Sequence, residues 1–363
     1  MKETAELILV CIFFVCLRGL YRNYIAMPDT AKEGSAAPHT EEGGAQGGTG
    51  PLDLAEFFPD VNDDLAKVTW GHGVNSVARL EEVLQDPQVM MMEADIVQGH
   101  LEGTEEDDPP LTPIMAHPPH TTSDLTFKMW LDKVIAANQA GEKKGIKLDF
   151  KQLDSVRECL DYLKAQNDKI TFPVWLNADI LPGPVDSPAS PVPADHFVST
   201  CVEMFPQATL SLGWTTHIPP GSGGAMTSGY SRADVDRMCE ILDTHSVTQP
   251  VTFPIRAAFL PLSLEVLEAL LDQIPDSTIT IWSLESDPFD PLAIVTLRDL
   301  LGADAVFLDL PETQMTQYLE VSSSEGKGAT GEVTSASLLP TSSILATVGM
   351  VLCSALAALY LYE

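Results

Sequence analysis

Apolar residues in the middle of this chain fall into short runs of five to seven positions that alternate with longer segments of helical period. The runs at 67–71, 89–95, 145–150, 173–179, 208–213, 251–256, 278–282 and 305–309 have the length and the β-branched and aromatic content of strands. Between them, segments 76–85, 124–139, 155–166, 232–243 and 262–273 space their apolar residues three and four apart, the mark of amphipathic helices. Strand and helix in alternation predict a parallel sheet covered by helices. Eight repeats predict an α/β fold closed into a single TIM-type (β/α)8 barrel. A further run at 113–116 predicts a small hairpin or extension after the second strand. An open doubly wound sheet would carry a glycine-rich loop after its first strand. Here Gly71 and Gly73 flank His72 with no third glycine in register, which favours the barrel.

The two ends break this pattern. Residues 1–22 form a short N-terminal segment whose apolar run, 7–17, is the size of a signal-peptide core. Its flanks are reversed, with Glu3 and Glu6 before it and Arg18 and Arg22 after it, so it reads as a signal peptide or an N-terminal anchor. Residues 23–64 read as a linker, 65–320 as the barrel and 321–343 as a Ser/Gly/Thr spacer. The uncharged run at 344–362 is about as long as a spanning helix needs. It fits a tail anchor or the removable tail of a lipid-anchor signal. Segments 101–110, 182–193 and 219–229 read as loops within the barrel region. The expectation is therefore a barrel with flexible termini and a C-terminal apolar helix, membrane-associated in the secretory pathway or at the cell surface.

Composition changes this picture in two places. With 45% hydrophobic and 20% charged residues the chain has a globular core, but its net charge of −32 excludes nucleic acid as a partner. The same charge opposes general attraction to anionic lipid, and leaves room for a local exception only where Lys143, Lys144, Lys147 and Lys151 cluster around one predicted strand. Of the six cysteines, Cys11, Cys16 and Cys353 lie in the terminal apolar segments. Cys159, Cys201 and Cys239 fall in predicted helices without metal-ligand spacing, and read as free thiols.

The chemistry concentrates where strands run out. His72 follows the first strand, Glu93 and Asp95 end the second, His117 closes the extra run, and Asp149 and Lys151 end the third. Side chains two apart on a strand share a face, so Glu93 with Asp95, Lys147 with Asp149 and Lys151, and Trp175 with Asn177 and Asp179 point the same way. Charged groups inside a barrel are costly unless paired or metal-bound. Histidines, carboxylates and a lysine gathered at the C-terminal mouth suit metal-assisted phosphodiester chemistry. The alternative is a structural salt-bridge network at the mouth, chiefly Asp149 or Asp179 with nearby lysines.

The motifs at 70–75, Met92-Glu93-Ala94-Asp95, 113–119, 145–151, 175–182, 209–216 and 251–256 resemble the menorin family across about residues 65–319. Menorin domains in turn resemble the phospholipase C-like phosphodiesterase barrels, among them glycerophosphodiester phosphodiesterases and spider-venom sphingomyelinase D. His72-x-x-Asn75 followed by Glu93-x-Asp95 and Asp149-x-Lys151 is similar to that active-site layout. The resemblance implies that Glu93, Asp95 and Asp149 hold Mg2+ or a similar divalent cation. It implies that His72 and His117 are an acid–base pair and that Lys151 neutralises a phosphate oxygen. Asn75, Lys147, Asn177, Asp179, Trp214, Arg256 and Trp282 are the expected lining of the substrate pocket. Glycerophosphodiesterases usually have Arg after the first histidine and Asp after the second, where this chain has Gly73 and Pro118. Two functions follow as expectations. One is a membrane-associated, metal-dependent phosphodiesterase acting on a phospholipid or head-group diester. The other is a catalytically weak or inactive cell-surface module that binds protein partners. Glycoside hydrolysis by a carboxylate pair fits poorly with two histidines in the site.

Overall fold

The computed structural model describes residues 53–328, apart from 62, 105–109 and 219–225. The expected apolar segments at 7–17 and 344–362, and most of both linkers, lie outside the described residues. Among the described residues no helix is long and apolar enough to cross a membrane.

Eight parallel strands form one continuous ladder: β1 (Trp70–Gly71), β2 (Met91–Leu101), β5 (Gly145–Phe150), β6 (Val174–Pro182), β7 (Thr209–Thr215), β8 (Val251–Arg256), β9 (Thr278–Trp282) and β10 (Val306–Asp309). Short strands β3 (Thr112–Met115) and β4 (Thr122–Ser123) join the long upper half of β2, β3 running antiparallel from Ile96↔Met115 to Gly99↔Thr112. This is the extension expected at 113–116. The fold is a TIM-type barrel that is nearly closed. Among the described residues no backbone ladder joins β10 to β1, and side chains span that seam instead.

The pleat sorts the residues. On β2, β5 and β6 the apolar Met92, Ala94, Ile146, Leu148, Leu176 and Ala178 belong to the layer under the helices. Their alternates, Glu93, Asp95, Lys147, Asp149, Asn177 and Asp179, face the barrel axis, because successive side chains take opposite faces. Pro254 sits within β8 although it has no N–H to give. The β7–β8 pairing stops at Ser211↔Thr252, so no ladder bond is lost there. Thr252 and Thr280 meet inside the barrel, their hydroxyl oxygens 2.9 Å apart.

The lower end is closed by aromatics. Trp70, Trp175 and Phe307 pack edge to face, with centroids 5.5, 5.0 and 6.4 Å apart. Leu54, Phe58, Val61 and Leu65 of the preceding short helical turns cover them. Asp64 starts the last of these turns, its carboxylate accepting the Ala66 amide, so the expected strand at 67–71 shortens to two residues. The Arg298 guanidinium bonds both Asp64 and the Val306 carbonyl, tying this cover to β10.

Helix starts follow their caps. Ser76, Thr126 and Asp290 each accept a backbone N–H of the first turn, and Ser231 with Asp234 forms a capping box. Cys159 and Cys201 are buried free thiols, and Cys239 is a half-buried one. Two expectations need correcting. The closing helix Glu312–Gly328 runs into the segment read as a spacer from 321. The four lysines do not form one patch. The buried Lys144 ammonium is spent on the carbonyls of Asp86 and Val89, and Lys143 reaches the Phe57 carbonyl.

Candidate active site

The C-terminal ends of β1, β2, β5, β6, β8 and β10 bring the titratable groups to one mouth. Glu93, Asp95 and Asp149 converge there, one carboxylate oxygen of each lying within 4.8 Å of the others. The register explains it: Asp95 and Asp149 are paired positions of neighbouring strands, and Glu93 is one pleat lower on the same face.

The loop after β1 is held by the groups it serves. Asn75 donates to Asp95 Oδ2 at 2.7 Å while its own carbonyl oxygen takes the Asp95 amide at 2.9 Å. The Gly73 amide donates to Glu93 Oε2 at 2.8 Å, and Gly73 does so from a left-handed backbone (φ 63°) that favours glycine.

Lys151 lies against two of the acids, 2.9 Å from Asp95 Oδ1 and 2.6 Å from Asp149 Oδ2. Burial alone would lower its pKa, but Asp149 and then Asp95 raise it well above the usual lysine value. Burial likewise works to raise Asp95, and is outweighed by Lys151 and the Asn75 hydrogen bond, so this carboxyl stays low. Part of the structural salt-bridge alternative is thus present, in Lys151 rather than at Asp179.

The two histidines differ in their partners. His72 Nδ1 lies 3.1 Å from Asp309 Oδ2 and 3.7 Å from Glu93 Oε2. Glu93 first and Asp309 second raise its pKa to about 10, making the ring an imidazolium with Nε2–H free. The exposed ring of His117 has Nδ1 2.7 Å from the Pro118 carbonyl oxygen. A carbonyl only accepts, so Nδ1 carries a proton, and the lone pair of the neutral ring is on Nε2.

The other expected lining residues divide. Lys147 is buried beside Trp70, its ammonium 5.7 Å from the ring centroid. Asn177 accepts from Ser211 at 2.6 Å. Arg256 is held by a bidentate bond to Asp287, 2.7 Å on each arm, and stacks 5.0 Å from the centre of Trp282. Its charge is cancelled there. Trp214 is a correction: it shares the outward face with Leu210 and Leu212 and packs 5.3 Å from the Tyr230 ring, under the helices and away from the mouth. Asp309 and Asp287 were missed. Asp309 ends the last strand on the face opposite the core residue Leu308, which was a readable signal; Asp287 lies in a loop with none.

The donor set fits a hard divalent cation, which takes carboxylate oxygens. Five acids (Glu93, Asp95, Asp149, Asp179, Asp309) face the cations Lys147, Lys151 and His72, leaving an excess of negative charge. The shortfall shows in the acids. Burial pushes Glu93 up to about 7 despite the pull of His72, with Asp95 and Asp149 adding repulsion. Burial and then Asp149 push Asp179 up to about 7.

A pH effect on stability follows. The ordinary values of these two carboxyls are 4.5 and 3.8, so above those values the folded chain keeps protons that the unfolded chain has released. Stability therefore falls as pH rises from about 4.5 to 7. His72 continues the decline, its contribution being full below 6.5 and lost as pH rises towards about 10. Without divalent cation the melting temperature is expected to drop by roughly 5 °C between pH 5 and 8, and saturating Mg2+ should cancel most of that drop. A flat cation-free profile would contradict the charge balance described.

A family model described as the menorin N-terminal domain matches residues 64–315. Protein FAM151B of Homo sapiens is 37% identical over 256 residues, 70% of this chain and 87% of that protein. Among solved structures, a glycerophosphoryl diester phosphodiesterase from Parabacteroides distasonis aligns with a TM-score of 0.39 at 13% identity, covering 79% of this chain and 96% of its own. A 2,3-dimethylmalate lyase aligns with a TM-score of 0.38 at 7% identity, covering 85% and 99%. These two structural likenesses speak to neither chemistry nor substrate.

Proposed function

The chain belongs to the menorin family, and on that premise we propose that its barrel is a metal-dependent phosphodiesterase using two-histidine acid–base chemistry. One observation carries the reading: three carboxylates converge within 4.8 Å beside His72, whose Nδ1 is held by Asp309, and a mouth histidine, His117, whose Nδ1 faces the Pro118 carbonyl. Glu93, Asp95 and Asp149 would hold Mg2+ or a similar cation, which when bound would polarise the phosphoryl group. Lys151 faces the same centre and neutralises a non-bridging phosphate oxygen. His117 Nε2 takes the proton of the attacking hydroxyl, from water or from the substrate itself. His72 Nε2–H protonates the leaving oxygen, and Asp309 holds that ring in place through Nδ1.

Association with a membrane or the cell surface, with a phospholipid as substrate, belongs to the same proposal. It rests on the apolar runs at 7–17 and 344–362. The test is turnover of bis(4-nitrophenyl) phosphate and of glycerophosphodiesters with Mg2+ and with EDTA. Release of alcohol that EDTA abolishes supports the reading, and no release from any diester in Mg2+, Mn2+ or Ca2+ would sink it.

A second reading, a catalytically weak or inactive module that binds cell-surface protein partners, is favoured by one observation. Lys151 already bonds Asp95 and Asp149, so the acids have a resident cation.

A further inference from the structure

Asp179 differs from the other acids of the mouth. Asp95 accepts from Lys151 and Asn75, Asp149 from Lys151, Glu93 from the Gly73 amide, Asp309 from His72 and Asp287 from Arg256. Among the described residues no donor reaches the Asp179 carboxylate; only charges act on it at a distance. Of the cations that act on it, Lys151 is bonded to two acids and Arg256 to Asp287, while Lys147 lies against the Trp70 ring.

The backbone keeps this carboxylate clear. The β6–β7 register shifts between Asp179 and Leu181, and bulges of this kind re-aim side chains beside active sites. Opposite lies Gly213, where a Cβ would come 2.5 Å from Asp179 Oδ1 and 2.9 Å from the Pro254 ring. Any other residue there would displace the carboxylate. Asp179 also stands one pleat above Asn177, on the mouth side of the acid triad.

The Asp179 side chain is half-buried, and a ligand that brings a donor to it makes a bond that the protein itself does not make. We infer that Asp179 determines specificity, its carboxylate accepting a hydrogen bond from a hydroxyl or ammonium group on the alcohol portion of the phosphodiester. This rests on the phosphodiesterase reading, in which the triad and Lys151 take the phosphate end. A ligand without such a donor leaves Asp179 unpaired, and sites built on a polar contact reject analogues that lack it. The elevated pKa of Asp179 fits a group waiting for a partner.

The test is calorimetric binding to the full chain in saturating Mg2+, with methyl phosphate, glycerol 1-phosphate and phosphoethanolamine as probes. Wild type is expected to bind at least one of the latter two about tenfold more tightly than methyl phosphate. Which one it prefers separates a hydroxyl from an ammonium donor. Asp179→Ala should bring all three to the methyl phosphate level. Asp179→Asn, which keeps the shape, should lose an ammonium preference completely and a hydroxyl preference in part. A wild type that binds the three alike or binds none, or a folded Asp179→Ala that keeps the preference, would overturn the inference. Diester turnover is followed in the same samples. Preference intact without turnover removes the phosphodiesterase reading alone, and turnover without preference removes Asp179 alone.

Discussion

Replacing His117 with alanine is expected to lower kcat by on the order of 10²–10⁴-fold, while divalent-cation affinity and melting temperature stay near wild type. The ring is exposed, and its one hydrogen bond is to the carbonyl of the next residue, so little packing depends on it. What it supplies is the Nε2 lone pair beside the acid cluster. Among the described residues no hydrogen bond or ion pair ties His117 to the acids, so the carboxylates keep their places when the ring is removed. The measurement is steady-state turnover of a diester substrate beside a thermal melt and a Mg2+ titration. Undiminished turnover would remove His117 from the mechanism. A large loss of stability would make the histidine structural.

Lys151→Met is expected to destabilise the cation-free barrel by about 3–5 kcal/mol, because it strips the partner from two largely buried carboxylates. The Lys151, Asp95 and Asp149 side chains are only 22%, 9% and 15% exposed, so water does little to replace the lost ammonium. Methionine keeps the length and volume of the stem, which confines the change to charge. Saturating Mg2+ should restore most of the lost stability, since the same oxygens then have a cation to face. Turnover stays low even so, because the phosphate has lost its neutralising group. Urea denaturation with and without Mg2+ measures this. An equal loss in both conditions would mean that the metal and Lys151 do not share the acids.

The barrel was legible because its signals are local. Each strand run and each capped helix start could be read from a few residues, and β5, β8 and β9 match the expected 145–150, 251–256 and 278–282. The site was legible where it obeys the period of two: Glu93 with Asp95 and Asp149 with Lys151 had to share a face. The same rule, applied to β7, would have turned Trp214 outward with Leu210 and Leu212, and applied to β10 would have brought Asp309 in with Phe307. Other features depend on contacts distant in the chain. Nothing near Arg256 announces Asp287, 31 positions on, and nothing near Lys144 announces the carbonyls of Asp86 and Val89 that hold it. Resemblance supplied roles for the acids and histidines. The geometry distinguishes the two rings, since one faces a carboxylate and the other a carbonyl.

The central claim is that Glu93, Asp95 and Asp149 form a cation site. The most direct test is a calorimetric titration of the full chain with Mg2+, beside Asp95→Asn. The account predicts saturable binding to wild type that the variant loses while keeping its fold. Absence of binding to well-folded wild type at millimolar Mg2+, Mn2+ or Ca2+, or unchanged binding to Asp95→Asn, would contradict it.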